Sequence, residues 1–567
     1  MSRRLFIVVV VAWAGLAHAT IHFVPDDFAN LQMALDESNS NDTVICRAGT
    51  YRGPFFIWAR NITIASEFLL SENPGDIASC IVRPANANPE DRCFETQHAT
   101  RDSVTLRIVG MTIQGARNIG QDNYGGGIII RRRIAEIRDC IFKANLAVFG
   151  GAVHADSSVV RFHDCLFQGN DAVRQGRCLS GYRSEFYLYD CDIGPSGYLI
   201  ADEHRDAEIE LRGTSIQFTR TRIHDLGMTP EGWVEFISCY NGNQRLPYIR
   251  FDGCVIENNV FPRFFQCNGH NGPNEFAMDS CMFANNSQSF SFWNPAFTQV
   301  SATVTITRCL FEGNTVQANT AGVGFFYYTG SRLRFVVEDN TFRNNYNGQS
   351  ACLEVSEMSG TSIGRIQRNY FIGNSSLGYP TYRSRTITIG DVGEGVVEYN
   401  AFLDNIGDAV NTSDFYSPTS YALHNWWGDS TGPYEETRNL HGLGDTTNAA
   451  TIYDDWLMSE EEIPDTSLFP PNDARERVNL PTTWAISNVY PNPFNSEFRV
   501  ELVGLAGTDF EVRLYNLLGR EVALLHSGRT LGGTLSFQAP PNLAAGLYFL
   551  RANDRTLALA KKVLLLK

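Results

Sequence analysis

The sequence has few of the features that mark membrane-embedded or nucleic-acid-binding proteins. Its one pronounced apolar run, Leu5–Leu16, holds about 12 residues, whereas a helix needs roughly 20 to span a bilayer. Basic residues are in the minority, since 46 Lys and Arg stand against 62 Asp and Glu, for a formal net charge of −16. Because phosphate backbones require a basic face, this balance argues against a nucleic-acid partner.

The first 19 residues have the layout of a secretory signal peptide. Arg3 and Arg4 precede the apolar run, and Ala17-His18-Ala19 follows it as an A-x-A cleavage site. A membrane anchor is the alternative, but the run is short for one. We therefore predict a signal peptide over residues 1–19, export of the chain, and no transmembrane segment after signal cleavage.

One short motif recurs through the middle of the chain. The pattern [Cys/Asn]-x-[Phe/Ile]-x-x-Asn occurs eight times, starting at Cys140, Cys165, Cys254, Cys281, Cys309, Asn340, Asn369 and Asn400. Weaker copies start at Met111, Cys191 and Thr214. Apolar residues tend to alternate around each copy, which is typical of strands, and Asn or Gly follows where the chain must turn. Self-similarity at this period predicts a stacked architecture.

These features together predict an all-β fold, a parallel β-helix of about 13–14 coils with neighbouring coils about 4.8 Å apart. Equivalent positions of successive coils would then form ladders. The first motif position predicts one structural ladder: Cys140, Cys165, Cys191, Cys254, Cys281, Cys309, Asn340, Asn369, Asn400 and Asn425.

The chain has 13 cysteines, and export would normally suggest disulfides. Asn replaces Cys along the ladder, however, which a required covalent bond would not allow. We therefore expect the ladder cysteines to be reduced and to act as small apolar fillers. The pair Cys80–Cys93 is the best candidate for a disulfide, and no Cys/His cluster has the spacing of a zinc site.

The start of the chain resembles that of right-handed parallel β-helix proteins of the pectin-lyase-like superfamily. The resemblance lies in an amphipathic helix at about Phe28–Glu37, followed by Asp42-Thr43-Val44 and the turn Gly49-Thr50-Tyr51. It covers about residues 20–460 and implies a right-handed single-stranded β-helix over 20–457, with residues 20–45 as an N-terminal cap. A cap is also expected on physical grounds, because an open solenoid end exposes apolar core and unpaired strand edge.

The string "HNWWGDSTGPY" at 424–434 marks the end of the repeat. Asn425-Trp426-Trp427 occupies the motif slot, but Ser430 stands where the final Asn is expected. The string also resembles the Asn-Trp-Trp-Gly ending of many bacterial β-helix proteins. We predict a C-terminal cap over 424–457, in which Trp427 is the last core residue and Trp426 points the other way.

The remaining sequence divides into a linker and a small β domain. Residues 458–484 are acidic and proline-rich, and residues 485–567 alternate like strands, which predicts a small Ig-like β-sandwich. The segment resembles the type A sorting domain of the type IX secretion system through Tyr490–Asn495, Leu514–Val522, Gly546–Phe549 and Lys561–Val563. This resemblance implies the secretion machinery as partner and a secreted or outer-surface location in a Gram-negative-type bacterium. An adhesive Ig-like module is the alternative.

The β-helix itself does not specify a function. The spacing from Thr214 to Cys254 exceeds one coil, which predicts a functional insertion near a group of charged residues. The catalytic candidates are Asp202, Glu203, His204, Arg205, Arg220, Arg222 and His224. A base and a cation among them would suit a polysaccharide lyase, with Ca²⁺ under that hypothesis alone; a solvated charged loop is the alternative.

Polar and aromatic residues that could face a sugar occur in comparable parts of several coils. They are His154, Tyr182, Tyr240, His270 and Tyr327. Aromatic rings offer apolar faces with a polar edge, although a one-residue slip in strand phase would bury half of these side chains. Two hypotheses result: a β-helix without cofactor or metal that binds surface or extracellular polysaccharide or serves adhesion or surface structure, and a polysaccharide-degrading enzyme, a lyase rather than a hydrolase.

Overall fold

The computed structural model contains two compact units, Met1–Phe469 and Pro470–Lys567. The predicted signal peptide, apart from Ala19, and most of the predicted linker lie outside the described residues. The structure describes residues 19–85, 90–97, 104–120, 123–195, 206–227, 234–240, 248–260, 263–268, 275–287, 290–294, 301–315, 323–327, 332–347, 351–357, 363–376, 384–389, 394–412, 420–464, 485–490, 494–495, 497–503, 508–516, 521–530, 533–538, 543, 546–553 and 558–565.

The first unit is a parallel β-solenoid whose coils contribute one strand to each of several long sheets. The first sheet has 16 strands: Ile21–Val24, Thr43–Cys46, Ile62–Ser66, Thr105–Val109, Ile134–Arg138, Val159–His163, Glu185–Tyr189, Ser215–Thr219, Tyr248–Asp252, Glu275–Asp279, Ser301–Thr307, Arg332–Glu338, Ile363–Gln367, Glu394–Glu398, Ser420–Tyr421 and Thr451–Ile452. The second sheet has 13 strands: Gly49–Gly53, Cys80–Pro84, Thr112–Gln114, Ile141–Lys143, Leu166–Gln168, Asp192–Ile193, Arg222–His224, Val255–Glu257, Met282–Ala284, Leu310–Glu312, Thr341–Arg343, Tyr370–Ile372 and Ala401–Leu403. The predicted parallel β-helix is thus confirmed.

The remaining strands of this unit complete the coils. The third sheet has eight strands: Phe55–Ile57, Phe94–Thr96, Ile128–Arg131, Val153–Asp156, Leu179–Tyr182, Asp206–Arg212, Val234–Tyr240 and Arg263–Asn268. A fourth sheet has seven: Phe290–Asn294, Val323–Tyr327, Leu353–Glu357, Arg385–Ile389, Asp408–Thr412, Pro433–Tyr434 and Gly444–Thr447. Two short sheets comprise Glu90–Asp91, Arg117–Asn118, Leu146–Phe149 and Asp171–Gln175, and Tyr346–Asn347 with Ser375–Ser376.

The turn that ends each motif needs a left-handed backbone, which explains the Asn and Gly found there. The fifth motif position has a positive φ in all eight copies, at Ala144, Gly169, Asn258, Asn285, Gly313, Asn344, Gly373 and Asp404. Asn and Asp tolerate this conformation better than most residues, and Gly adopts it without penalty. The turn therefore accounts for the Asn, Asp or Gly at the fifth position in seven of the eight copies, and Ala144 is the exception.

The ten residues predicted for the structural ladder occupy equivalent positions of their coils and are all buried. Asn340 Nδ2 donates to Asn369 Oδ1 at 2.9 Å, and the chain of bonds continues through Asn400 to Asn425. Where the ladder carries cysteine, the sulfur takes the acceptor position, since the backbone N–H of Cys254 donates to Cys281 Sγ at 3.4 Å. Cys in the earlier coils and Asn in the later coils thus fill the same structural role.

The disulfide prediction is wrong, because Cys80 and Cys93 are both free and buried. The Cys93 thiol lies 3.6 Å from the carbonyl oxygen of Val82. Cys80 and Cys93 are close in sequence but lie at different corners of the coil. Their proximity in sequence therefore did not predict a contact.

The assignment of Thr214 to the motif is also wrong. The strand after Cys191 pairs with Arg222–His224, which places Thr221 next in the ladder, whereas Thr214 precedes the first-sheet strand Ser215–Thr219. Both segments read Thr-x-Ile, so the local pattern did not distinguish the two corners. Measured from Thr221, the interval to Cys254 is only slightly longer than the other coils.

A short helix covers the open N-terminal end of the solenoid. Helix Leu31–Glu37 buries three apolar side chains, and the side chain of Asn30 accepts from Met33 N at its N-terminus. The Gln32 side chain accepts from Phe56 N at 2.8 Å and donates to Phe56 O at 3.2 Å. This amide satisfies backbone groups that the first strand of the third sheet would otherwise leave unpaired. Two further helices, Phe68–Ser71 and Pro74–Ser79, and a 3₁₀ turn, Glu460–Glu462, are the other helical segments among the described residues.

At the C-terminal end, aromatic rings close the core. Trp427 is fully buried and stacks on Phe402 with ring centroids 5.0 Å apart, while Tyr453 meets it edge-on at 6.4 Å. Trp426 is only half-buried. The two adjacent indoles thus face in opposite directions, and Trp427 covers the last ring of the phenylalanine stack.

The final motif position forms a second amide ladder that ends on a carboxylate. Asn345 Nδ2 donates to Asn374 Oδ1 at 3.0 Å, and Asn374 Nδ2 donates to Asn405 Oδ1 at 2.9 Å. Asn405 in turn donates to Asp445 Oδ2 from its backbone N–H at 3.1 Å and from Nδ2 at 2.6 Å. Burial raises the pKa of Asp445 to about 6, even though the Asn405 bonds act to lower it.

The stacking of Trp427 predicts a large loss of stability on truncation. Trp427→Ala should lower the free energy of unfolding of the solenoid by about 3–5 kcal/mol, because a fully packed ring is replaced by a cavity. Denaturant unfolding followed by circular dichroism measures this change. Trp426→Ala is the control and should cost much less, and an unchanged midpoint for Trp427→Ala would contradict the packing role.

The pKa of Asp445 predicts a pH dependence of stability. Its folded pKa of about 6 lies above the ordinary value of 3.8, so the folded state binds the proton more tightly. Stability contributed by this group is therefore present below pH 4 and is lost as pH rises to about 6, by on the order of 3 kcal/mol.

Unfolding of wild type and Asp445→Asn between pH 4 and pH 7 measures this contribution as the difference between the two profiles. The variant should lose the pH-dependent part. Asp429→Asn is the matched control, because hydrogen bonds from Thr431 lower the pKa of Asp429 and give its contribution the opposite sign. Parallel profiles for wild type and Asp445→Asn would count against the assignment.

Candidate functional site

A cleft of about 480 Å³ lies on the third sheet. Two neighbouring columns of side chains form most of it, because strand residues two apart point to the same face. One column runs Ile129, His154, Ser180 and Glu210, and the next runs Arg131, Asp156, Tyr182 and Arg212. Tyr124 and Gly181 complete the lining.

A chain of hydrogen bonds crosses the floor of the cleft. Arg212 Nε donates to Glu210 Oε1 at 2.6 Å, and Ser180 Oγ donates to Glu210 Oε2 at 2.8 Å. His154 Nδ1 lies 3.2 Å from Ser180 Oγ. The side chains of His154, Ser180 and Glu210 are buried, so their polar atoms need the hydrogen-bond partners that they find in one another.

His154 is uncharged at all ordinary pH values. Burial lowers its pKa to about 3, and the positive charges of Arg131, Arg212 and Arg92 lower it in the same direction. The ring also lies against Tyr124, with centroids 4.5 Å apart. His154 is therefore a neutral, oriented imidazole.

Aromatic rings form the sides of the cleft. Tyr182 is 37% exposed, and the guanidinium of Arg183 lies 5.0 Å from its ring centroid. Tyr124 stacks on Phe149 at 5.1 Å, and Arg212 lies 5.0 Å over the same Phe149 ring. The cleft thus combines an accessible aromatic ring with a row of hydrogen-bonding groups.

The arginines that line the cleft already have carboxylate partners. Arg131 pairs with Glu95 at 2.9 Å, and Arg212 pairs with Glu210 at 2.6 Å. Asp156 accepts a hydrogen bond from Ser157 Oγ at 2.8 Å. The lining therefore carries two cations and two anions, Arg131 and Arg212 against Asp156 and Glu210.

The structure brings two of the predicted ligand-binding residues, His154 and Tyr182, into this cleft. The backbone of Tyr240 pairs with Arg212 on the next coil, but its side chain lies outside the described residues. His270 also lies outside them, and Tyr327 belongs to the fourth sheet.

Sequence reasoning missed Arg131, Ser180, Glu210 and Arg212. Their only signal was a spacing of two residues along each strand, as in Ser180 and Tyr182 or Glu210 and Arg212. That signal identifies a face only when the pairing between coils is known.

The predicted catalytic residues that the structure describes, Arg220, Arg222 and His224, do not line the cleft. Asp202, Glu203, His204 and Arg205 lie outside the described residues. Arg220 makes two hydrogen bonds with Asp190 at a corner of the coil, at 2.7 and 2.6 Å. Arg222 donates to Glu257 at 2.9 Å from the second sheet.

His224 is held between two carboxylates on the same sheet. Its Nε2 lies 2.8 Å from Asp192, and its Nδ1 lies 2.7 Å from Asp225. Burial alone would lower the pKa of His224, but these two carboxylates raise it above its usual value. Both ring nitrogens are occupied, so neither is free to take a proton from a substrate.

The described residues contain neither a candidate membrane-spanning helix nor a candidate metal site. No helix in these ranges has the length and apolar character needed to cross a membrane. Within the same ranges, no three His, Cys, Asp or Glu side chains form a group that could hold a metal ion.

The second unit contains two antiparallel sheets. One has strands Ala485–Tyr490, Glu497–Val503 and Gly533–Gln538, and the other has strands Thr508–Asn516, Glu521–Thr530, Gly546–Asn553 and Ala558–Leu565. Apolar side chains from both sheets form a separate core, among them Phe498, Val500, Leu514 and Leu550.

Comparison with known proteins identifies this second unit. Residues 488–566 match the family model described as the secretion system C-terminal sorting domain. No curated protein matches the chain. The protein is therefore a parallel β-solenoid that carries a C-terminal secretion-system sorting domain, which directs it to secretion or to the cell surface.

Proposed function

We propose that this exported solenoid binds saccharide in the cleft on its third sheet. The observation that carries the proposal is the exposed ring of Tyr182 beside the buried polar row of His154, Ser180 and Glu210. An aromatic ring packs against the C–H face of a sugar, and polar groups beside it bind the hydroxyls. The volume of about 480 Å³ suits one or a few sugar rings.

The scaffold suits a preformed binding site, and the sorting domain suits binding outside the cell. The side chains of the two columns stand on strands that are paired with neighbours above and below, and sites built on such elements hold their geometry without a ligand. The sorting domain supports an extracellular location for this cleft.

The alternative hypothesis, a polysaccharide lyase, needs a base next to a cation that can stabilise an enolate. Arg131 and Arg212 in the cleft are each paired with a glutamate. Outside the cleft, His224 has both nitrogens occupied. These pairings favour binding over elimination chemistry.

Removal of the Tyr182 ring tests the proposal. We expect Tyr182→Ala to weaken binding of the preferred hexasaccharide about tenfold, or about 1.4 kcal/mol, because the stacking face is lost. Isothermal titration of the full chain with cellohexaose, xylohexaose, mannohexaose and hexagalacturonate measures this effect.

Tyr421→Ala is the matched control, because Tyr421 is an exposed tyrosine on the first sheet, outside the cleft. It should bind as wild type does. Equal weakening by both variants, or binding of none of the four saccharides, would overturn the assignment of the cleft.

A further inference from the structure

The direction of every hydrogen bond on the cleft floor follows from donor and acceptor chemistry. A guanidinium can only donate, and an ionised carboxylate can only accept. Glu210 therefore accepts from Arg212 at one oxygen and from Ser180 at the other. Because the hydroxyl of Ser180 has a single hydrogen, its oxygen can only accept from Nδ1 of His154.

This direction determines the tautomer of His154. A neutral imidazole carries one proton, and Nδ1 must hold it to donate to Ser180. The low pKa of His154 agrees, since the ring does not take up a second proton above about pH 3. Nε2 is then an unprotonated acceptor, and no described residue donates a hydrogen bond to it.

An acceptor at this position discriminates between ligands. A sugar hydroxyl can donate to Nε2, whereas a carboxylate or sulfate oxygen has no hydrogen to give and would meet the nitrogen lone pair. An acidic ligand would also have to compete with Glu95 for Arg131 and with Glu210 for Arg212. Both effects disfavour the binding of anionic ligands in the cleft.

We propose that the cleft selects a neutral saccharide, one hydroxyl of which donates to Nε2 of His154, and that Glu210 sets this selectivity through Ser180. The ligand class rests on the proposed saccharide-binding function. Glu210 acts as a positioning residue, because it orients the proton on His154 through the intervening hydroxyl.

Glu210→Gln should reverse the direction of the hydrogen bonds that connect Glu210, Ser180 and His154. The amide oxygen can still accept from Arg212, which places the amide nitrogen next to Ser180 as a donor. Ser180 would then donate to Nδ1 of His154, and the imidazole proton would move to Nε2. The substitution also removes the charge that pairs with Arg212, so an acidic ligand gains both a donor and a cation.

The tautomer can be measured without any ligand. ¹⁵N NMR of histidine-labelled full-length protein should show Nδ1 protonated in wild type and Nε2 protonated in Glu210→Gln, and the resonances lost in His154→Gln identify the ring. A wild-type ring protonated at Nε2 would overturn the proposed selectivity, whatever saccharide binds.

The same proteins are then titrated with the neutral hexasaccharides and hexagalacturonate. Wild type should prefer a neutral hexasaccharide, and Glu210→Gln should raise the affinity for hexagalacturonate relative to the neutral ligand about tenfold. Glu95→Gln is the matched control, because it frees Arg131 and leaves the His154 chain intact.

The outcomes separate the two proposals. A wild-type preference for hexagalacturonate, or an equal shift in Glu95→Gln and Glu210→Gln, overturns the role of His154 but leaves saccharide binding in place. Binding of no saccharide by wild type overturns the proposed function and the ligand class together. Unchanged folding of each variant, checked by circular dichroism, makes the titrations comparable.

Discussion

The hydrogen bond from one ladder asparagine to the next is the interaction on which the solenoid depends. A buried amide must satisfy both its donor and its acceptor groups, because a buried polar group without a partner costs free energy. Asn345 donates from its backbone N–H and Nδ2 to Asn374 and from Nδ2 to the carbonyl of Phe311, and its Oδ1 accepts from the backbone N–H and Nδ2 of Asn314. Such a residue fits only when the coils above and below are in register, so the ladder specifies the stacking as well as stabilising it.

Each end of the stack needs different chemistry, because a ladder that stops leaves groups unsatisfied. At the N-terminal end, the Gln32 amide imitates a neighbouring strand for Phe56. At the other end, Asp445 supplies the last acceptor for Asn405, and Trp427 covers the last phenylalanine of the core. Burial raises the pKa of Asp445 more than the Asn405 hydrogen bonds lower it, so a charged acceptor at this end of the ladder is costly.

The same register that aligns the core also builds the cleft. Once His154, Ser180 and Glu210 occupy one column, residues two positions later must form a second column on the same face. Polar side chains about 4.8 Å apart can then bond in sequence along the stack. A parallel solenoid therefore offers an ordered row of polar groups without any dedicated loop. In this way three buried residues from three coils are connected by hydrogen bonds.

The sequence alone determined the class of fold, the period, the identity of the ladder residues and the sorting domain, since each depends on a local pattern or a contiguous motif. His154 and Tyr182 could also be proposed as ligand-facing residues from their type and place in the coil. The two errors at Cys80–Cys93 and Thr214, and the omission of Ser180, Glu210 and their arginine partners, have a common cause. Which residues face each other across coils depends on pairings between positions well separated in the chain, and similar short patterns occur at more than one corner. Only the tertiary structure decided those pairings, because the register is set by buried amides and packed rings acting between coils.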